Sequence, residues 1–315
     1  MLSQTQIGKA FEFALLKSAE ELFIIKNLKI EVIEDSSYMV ARDSFNLLST
    51  NIQTDYLKAA NAAVEHIVLL EPKLVHQSSG DVLTLQIVPD SLGIKGDVRD
   101  VLFIRSAENW EIGVSAKHNH KAVKHSRLSN TINFGLSWLN IKNTEKYFAD
   151  IKPVFDELKH LKSQNQLWRN LNNKMDRFYL PVLNAFKEEL LLLDNLNPKI
   201  VPAQLLKYLI GNKDFYKVIK NKSGVEVFGF NLHGSLNRPA INKQPYFKVP
   251  VLKMPTRIIE LDFKPDSKDT LILVCDGGWQ ISFRIHNASS KVEPSLKFDI
   301  NLIGQPQNLY AHHLR

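Results

Sequence analysis

Gly96-Asp97-Val98-Arg99-Asp100 leads into the apolar run Val101–Arg105. A polar segment at 106–110 is followed by Trp110-Glu111-Ile112-Gly113-Val114-Ser115-Ala116-Lys117. Read as a β-hairpin in which Arg105 pairs with Trp110, the segment places Asp100 across from Ser115. Side chains alternate along a strand, so Glu111, Gly113, Ser115 and Lys117 share one face. Asp100 then projects beside Ser115 and close to Lys117. A carboxylate and an ammonium on adjacent strands, opening into a basic loop, suit phosphodiester hydrolysis. The carboxylate would hold Mg²⁺, which polarises the phosphate and makes hydroxide accessible at neutral pH. The lysine would orient water or stabilise the developing charge. On these residues alone, an ordinary surface Asp–Lys pair is the favoured reading, since such pairs are common.

The elements that must position this hairpin are read from periodicity. Residues 7–25 carry Ile7, Phe11, Ala14, Leu15, Ala19 and Leu22 at helical spacing, and 38–48 and 55–70 predict two more helices, the last stopped by Pro72. Residues 82–88, 101–105 and 111–117 alternate as strands do. Helical patterning returns from 144 to about 211, with breaks near 164, 170–173 and 195–198, and a short helix is expected at 214–220. Strands are expected at 225–231, 257–263, 270–275, 279–284 and 296–302, with Asp276-Gly277-Gly278 as a turn. The order predicts an α/β (α+β) protein: a mixed β-sheet flanked by helices, with a β-rich C-terminal part. The expected division is 1–195 for a core with a helical extension and 196–315 for the β-rich part, or else one continuous domain.

Charge narrows the class of partner. Forty basic against 33 acidic residues leave a net +7, unevenly spread. No acidic residue lies between Glu111 and Glu145, a window holding Lys117, Lys121, Lys124, Arg127 and Lys142 with His118, His120 and His125. None lies between Glu226 and Glu260, where Arg238, Lys243, Lys248, Lys253 and Arg257 stand. Surfaces without carboxylates suit a polyanion, because each neutralised phosphate releases counterions; solvated faces balanced in three dimensions would read the same way. One cysteine, Cys275, excludes an internal disulfide and a thiolate metal site, and fits a reducing, cytoplasmic compartment. No apolar run reaches the length of a membrane span and no membrane partner is expected.

The pattern of Asp, a short strand, then acidic-x-Lys on the next strand resembles the PD-(D/E)xK nuclease superfamily. More narrowly, 96–100 with WEIGVSAKHNHKAVKHSRLS at 110–129, ISFRIHNASSKVEPSLKFDI at 281–300, IGKAFEFALL near the start and AANAAVEHIVLLEP resemble the HaeIII family of type II restriction endonucleases. The likeness runs over most of the chain. It implies a restriction-endonuclease-like core, binding of palindromic GGCC in duplex DNA, and Mg²⁺-dependent cleavage between G and C to blunt ends.

By position, Asp100 matches the first metal-binding aspartate, with Asp97 as the alternative, and Lys117 matches the lysine. Ser115 occupies the place of the second acid, a departure, since a serine supplies no carboxylate. Two carboxylates compete to replace it. Glu111 is on the correct face but roughly 13 Å along an extended strand from Ser115. Glu12, on the first helix, is preferred, because superfamily members often place a glutamate there. Phosphate contacts are expected from His120, Lys121, Lys124, His125 and Arg127. Arg284 and His286 alternate with Phe283 and Ile285, and with Asn287, Lys291 and Lys297 form a second set facing DNA, where Arg or Lys would read guanine.

Three functions compete on this reading: a restriction endonuclease, a structure-selective repair or recombination nuclease with the same core, and a non-catalytic DNA-binding protein whose site has decayed at Ser115. The first is preferred. It implies a cognate DNA methyltransferase as genetic partner and a two-fold homodimer on the palindrome, a monomer cutting the strands in turn being the alternative.

Overall fold

The computed structural model describes residues 2–76, 80–89, 97–118 and 122–315, the side chains of 122–125 excepted. Helix α1, Gln4–Ile25, starts on a capping box: the Ser3 hydroxyl accepts from the Gln6 N–H, and the Gln6 side chain accepts from the Ser3 N–H. Two N–H groups that the helix itself leaves unpaired are thereby satisfied. Asp35 caps α2, Ser36–Asn46, by accepting from the Ser37 and Tyr38 N–H groups. Helix α3, Thr50–Leu70, ends just before Pro72. These three helices lie where the apolar spacing predicts them.

Seven strands form one sheet: β1 (Ile30–Ile33), β2 (Leu83–Ile87), β3 (Val101–Arg105), β4 (Trp110–His118), β6 (Phe215–Asn221), β7 (Gly224–Phe230) and β12 (Tyr310–Leu314), in the spatial order β1-β2-β3-β4-β6-β7-β12 among the described residues. The sheet is mixed, with β1–β2 and β4–β6 parallel and the other neighbours antiparallel. One face carries Leu85, Phe103, Ile112, Val114, Tyr216 and Val227 into a single core with Phe11, Leu15 and Phe23 of α1 and Ala60, Val64 and Ile67 of α3. Apolar burial on this scale, at roughly 25 cal/mol per Å² removed from water, is the main force that closes the layers.

The helix expected at 214–220 is instead β6. Phe215-Tyr216-Lys217-Val218-Ile219 is rich in β-formers, and all five residues are buried. Burial on both faces erases the alternation that marks a strand. The partner that makes it a strand is β4, distant in sequence.

A second sheet is antiparallel, in the order β5-β11-β10-β9-β8, from β5 (Ala122–Leu128), β8 (Ile258–Phe263), β9 (Thr270–Cys275), β10 (Gln280–Asn287) and β11 (Leu296–Gly304). Four of the strands expected in the tail join β5 to form it, with the Asp276–Gly278 turn between β9 and β10, while the strand expected at 225–231 is β7 of the first sheet. Periodicity gave no sign of β5. Helices α4 (Glu145–Ser163), α5 (Leu180–Leu196) and α6 (Ile200–Ile210) accompany this sheet. Phe186 of α5 packs on Phe283 of β10 and Phe298 of β11, with ring centroids 5.5 and 5.0 Å away.

The chain divides into two compact units: 1–121, 211–252 and 308–315 in one, and 122–210 and 253–307 in the other. A linear cut at 195 follows neither, because β6, β7 and β12 complete the first sheet while β5 belongs to the second. No described helix is long and apolar enough to cross a membrane.

Candidate active site

The β3–β4 hairpin has the register expected from strand alternation. Arg105 pairs with Trp110 and Val101 with Val114. The Asp100 N–H then donates to the Val114 carbonyl at 2.8 Å, which sets Asp100 opposite Ser115. Three donors converge on one oxygen, Asp100 Oδ2: the Ala116 N–H at 2.7 Å, Lys117 Nζ at 3.0 Å and Ser115 Oγ at 3.2 Å. None of the described residues donates to Oδ1. The Asp100 and Lys117 side chains remain 20% and 32% exposed, so the pair is open to a ligand. Ser115 and Ala116 are buried beneath it.

Glu12 joins this group from the middle of α1. It is buried, and Lys9 Nζ donates to its Oε2 at 2.9 Å. Burial, and after it the nearby Asp100 carboxylate, push the Glu12 carboxyl up to about 7, against the pull of Lys9 and Lys117. Two carboxylates repelling each other across a low-dielectric site are what a bound cation relieves. The donor set is all oxygen, which suits a hard divalent ion such as Mg²⁺. Among the described residues no group of three metal-binding side chains gathers anywhere.

Lys9 was not among the residues expected at the site. Its signal is visible in retrospect: Lys9 and Glu12, three apart, are charged residues on an otherwise apolar stripe. A buried ion pair is costly without a partner for each charge, and the pair here meets that condition.

Asp97 and Glu111 belong to a different cluster. Arg99 Nε and Nη2 donate to both oxygens of Asp97 at 2.8 and 2.7 Å, and Arg99 Nη1 donates to Glu111 Oε1 at 2.9 Å. Burial works against ionisation of Asp97, yet the Arg99 guanidinium outweighs it and holds the carboxyl below its usual range. Arg99 lies over Gly113, in the space a side chain there would need. Glu111 also faces Lys213 at 3.6 Å, and stands six positions from Lys117, about 20 Å along the strand. Neither carboxylate is brought to Asp100.

The polar face of the second sheet gathers part of the other expected set. His286 pairs with Lys297, and Lys297 with Arg127, so three basic residues form one row across β10, β11 and β5. Arg284 lies in the next row of that face, opposite Asp299, and its Nε approaches Asp269 Oδ2 at 3.4 Å. His286 Nδ1 donates to the Asn287 carbonyl at 2.8 Å, and the Asn287 amide to the Ser289 carbonyl at 2.6 Å. Lys291 is exposed and its backbone bridges to Leu167. His120 and Lys121 lie outside the described residues. Lys124 and His125 have described backbone in β5, while their side chains lie outside.

Comparison with known proteins finds relatives over nearly the whole chain. The family model for the HaeIII restriction endonuclease matches residues 8–306. A type II restriction enzyme HaeIII from Haemophilus aegyptius is 43% identical over 304 residues, covering 96% of this chain and 95% of that one. No solved structure matches significantly.

Proposed function

The chain belongs to the HaeIII restriction endonuclease family, and from that premise we propose that it cuts duplex DNA at GGCC, between G and C, to blunt ends, with Mg²⁺, in the cytoplasm. Its class is that of the type II site-specific deoxyribonucleases. The observation that carries the site assignment is the convergence of Lys117, Ser115 and the Ala116 N–H on Asp100, with Glu12 beside them.

In this reading Asp100 and Glu12 hold the cation, and Glu12 is the carboxylate that stands in for the acid missing at Ser115. When bound, the ion polarises the phosphate and lowers the pKa of a water molecule. Lys117 donates to the phosphate as negative charge develops on it. The Ala116 N–H and Ser115 hydroxyl fix the Asp100 carboxylate in one orientation, so no reorganisation is needed when the substrate arrives. A water oxygen bonds to phosphorus, the phosphorus–oxygen bond to the leaving sugar breaks, and that oxygen takes a proton. Asp97 and Glu111, engaged by Arg99, are left to a structural role. Arg127, Lys297, His286 and Arg284, with Lys124, His125, His120, Lys121, Asn287 and Lys291, form the DNA-contacting set. A palindromic target calls for a two-fold dimer, and a cognate methyltransferase would protect the host's own sites.

The test is incubation with unmethylated phage DNA in Mg²⁺, with an EDTA control, followed by sequencing of fragment ends. Blunt ends at GGCC are expected. Discrete ends at another sequence would keep the mechanism and discard the specificity. Retention of DNA by folded protein without cleavage would overturn the catalytic reading and make Ser115 the reason.

A further inference from the structure

A basic hollow stands at the same end of the first sheet as Lys117, and none of the residues assigned above lines it. In the parallel pair β4–β6, Lys117 is the register partner of Ile219, and His118 of Lys220. Beyond Lys220 the chain turns through Asn221, Lys222 and Ser223 into β7. The Ser223 N–H and hydroxyl hold that turn, both donating to Asn221 Oδ1 at 2.9 Å. Lys222 is three positions past Ile219, at most about 10 Å further along the sheet than Lys117.

The hollow, about 200 Å³, opens between α3, this turn and the end of β12. All of it lies in one compact unit. Asp55, Lys58, Ala59 and Ala62 line the helix side, where the two alanines leave room that larger side chains would fill. Lys220, Lys222 and Arg315 line the strand side. Asp55 is already engaged, since Lys220 Nζ lies 2.6 Å from its Oδ2. The Lys220 ammonium also lies 5.5 Å from the Tyr56 ring centroid, and Tyr56 packs on His118 with centroids 5.5 Å apart. Lys58, Lys222 and Arg315 are exposed, and no carboxylate among the described residues pairs with them. Gly224, at φ 144°, lets the Leu314 carbonyl close on the turn, where any side chain would collide with that oxygen. This close approach seats β12 and brings Arg315 to the rim.

A cleft lined by one sign of charge concentrates ions of the other. This one is smaller than the roughly 300–1,000 Å³ that encloses a whole small molecule, so the anion it fits is one group on a larger body. A backbone phosphate meets both conditions. We propose that the hollow is a phosphate clamp: Lys58 and Lys222, with Arg315 at the rim, hold a backbone phosphate of the same duplex, flanking the bond that is cut. The inference rests on the nuclease reading above. Lys220, neutralised by Asp55, contributes position and not charge, tying the β6 end of the clamp to α3. A phosphate carries no base information, so the clamp is blind to sequence and sets where the duplex lies.

The test uses the full chain and a GGCC duplex in Ca²⁺, with affinity read by fluorescence anisotropy across a range of salt. Lys58→Gln/Lys222→Gln and Lys58→Arg/Lys222→Arg are compared with the parent. The glutamine pair should bind about threefold more weakly or worse at moderate salt. Its slope of log affinity against log salt should flatten by about 1, the loss of one neutralised phosphate. The arginine pair should restore both. Thermal midpoints should stay near the parent's, because both lysines are exposed; if the pair lowers the midpoint, the single variants carry the same comparison. Duplexes with single phosphates replaced by neutral methylphosphonates then locate the contact. One position should weaken the parent and leave the glutamine pair unaffected, as coupled partners do. Parental affinity and slope in the glutamine pair would overturn the clamp, and so would methylphosphonate effects equal in both proteins at every position. Cleavage of the same duplex by the parent in Mg²⁺ is scored separately: a parent that cuts keeps the nuclease reading whatever the clamp does, and one that does not brings that reading down.

Discussion

Replacing Glu12 by glutamine should stabilise the metal-free protein and disable it as a nuclease. Burial and the Asp100 carboxylate move the Glu12 carboxyl from 4.5 to about 7. The sign follows from proton linkage. A carboxyl whose folded pKa is raised binds more protons in the folded state than in the unfolded one between those two values. Its contribution therefore favours folding at low pH and turns against it as pH rises from 4.5 through 7. At 1.36 kcal/mol per pKa unit, ionised Glu12 costs the fold about 3 kcal/mol above pH 8. Glutamine is neutral at every pH and removes that cost, less what Lys9 loses when its partner goes.

The assay is urea unfolding in EDTA at pH 5 and pH 8 for parent and Glu12→Gln. Contributions from groups that do not interact with Glu12 cancel in the difference between the two proteins. Between these pH values the parent should lose about 1–3 kcal/mol relative to the variant. A divalent cation should raise the parent's midpoint more than the variant's, because it relieves the repulsion between Glu12 and Asp100. Equal pH slopes for both proteins, within about 0.5 kcal/mol, would refute the argument that Glu12 is ionised at a cost beside Asp100. Cleavage by Glu12→Gln at the parental rate would refute its role as a ligand.

Gly113→Ala should destabilise the protein by about 1–3 kcal/mol, seen as a lower urea midpoint, because the added Cβ would lie 2.2 Å from Arg99 Cδ and 2.7 Å from Arg99 Cβ. In an Arg99→Gly background, which removes every contacting carbon, the same substitution should cost less than in the parent, and an equal cost would refute the clash as the cause. Charge reversal at Arg127 and Lys297, which share a row of the second sheet, should weaken DNA binding and flatten its dependence on log salt by about 1 for each phosphate no longer neutralised; fluorescence anisotropy from low to moderate salt checks this. Cys275 should ignore Ellman's reagent at pH 8 until the protein unfolds, since burial, then Asp276 and Asp194, push its thiol up to about 12 and the thiolate is the reactive form.

The hairpin that carries Asp100, Ser115 and Lys117 was legible because its information is local. Strand alternation and a short connection are enough to say which side chains share a face, and the register of Arg105 with Trp110 followed. The three N-terminal helices were legible for the same reason: spacing of apolar residues, with Pro72 as a stop. The family blocks were legible as well, since long matched stretches need no structure to be recognised.

Other parts of the site depend on partners far away in the chain. The peptide 214–220 has the short apolar run of either a helix or a buried strand, and only pairing with β4 decides between them. That pairing is also what sets Lys220 beside His118. Glu12 faces Asp100 because α1 packs on the sheet, and Asp97 is withdrawn because Arg99 folds over a glycine one strand away. Residue type and spacing thus established which groups were available for phosphodiester chemistry and how the hairpin would order them. Which carboxylates meet was left to the tertiary structure, because burial and strand pairing outweigh local preference and neither is written in any one segment.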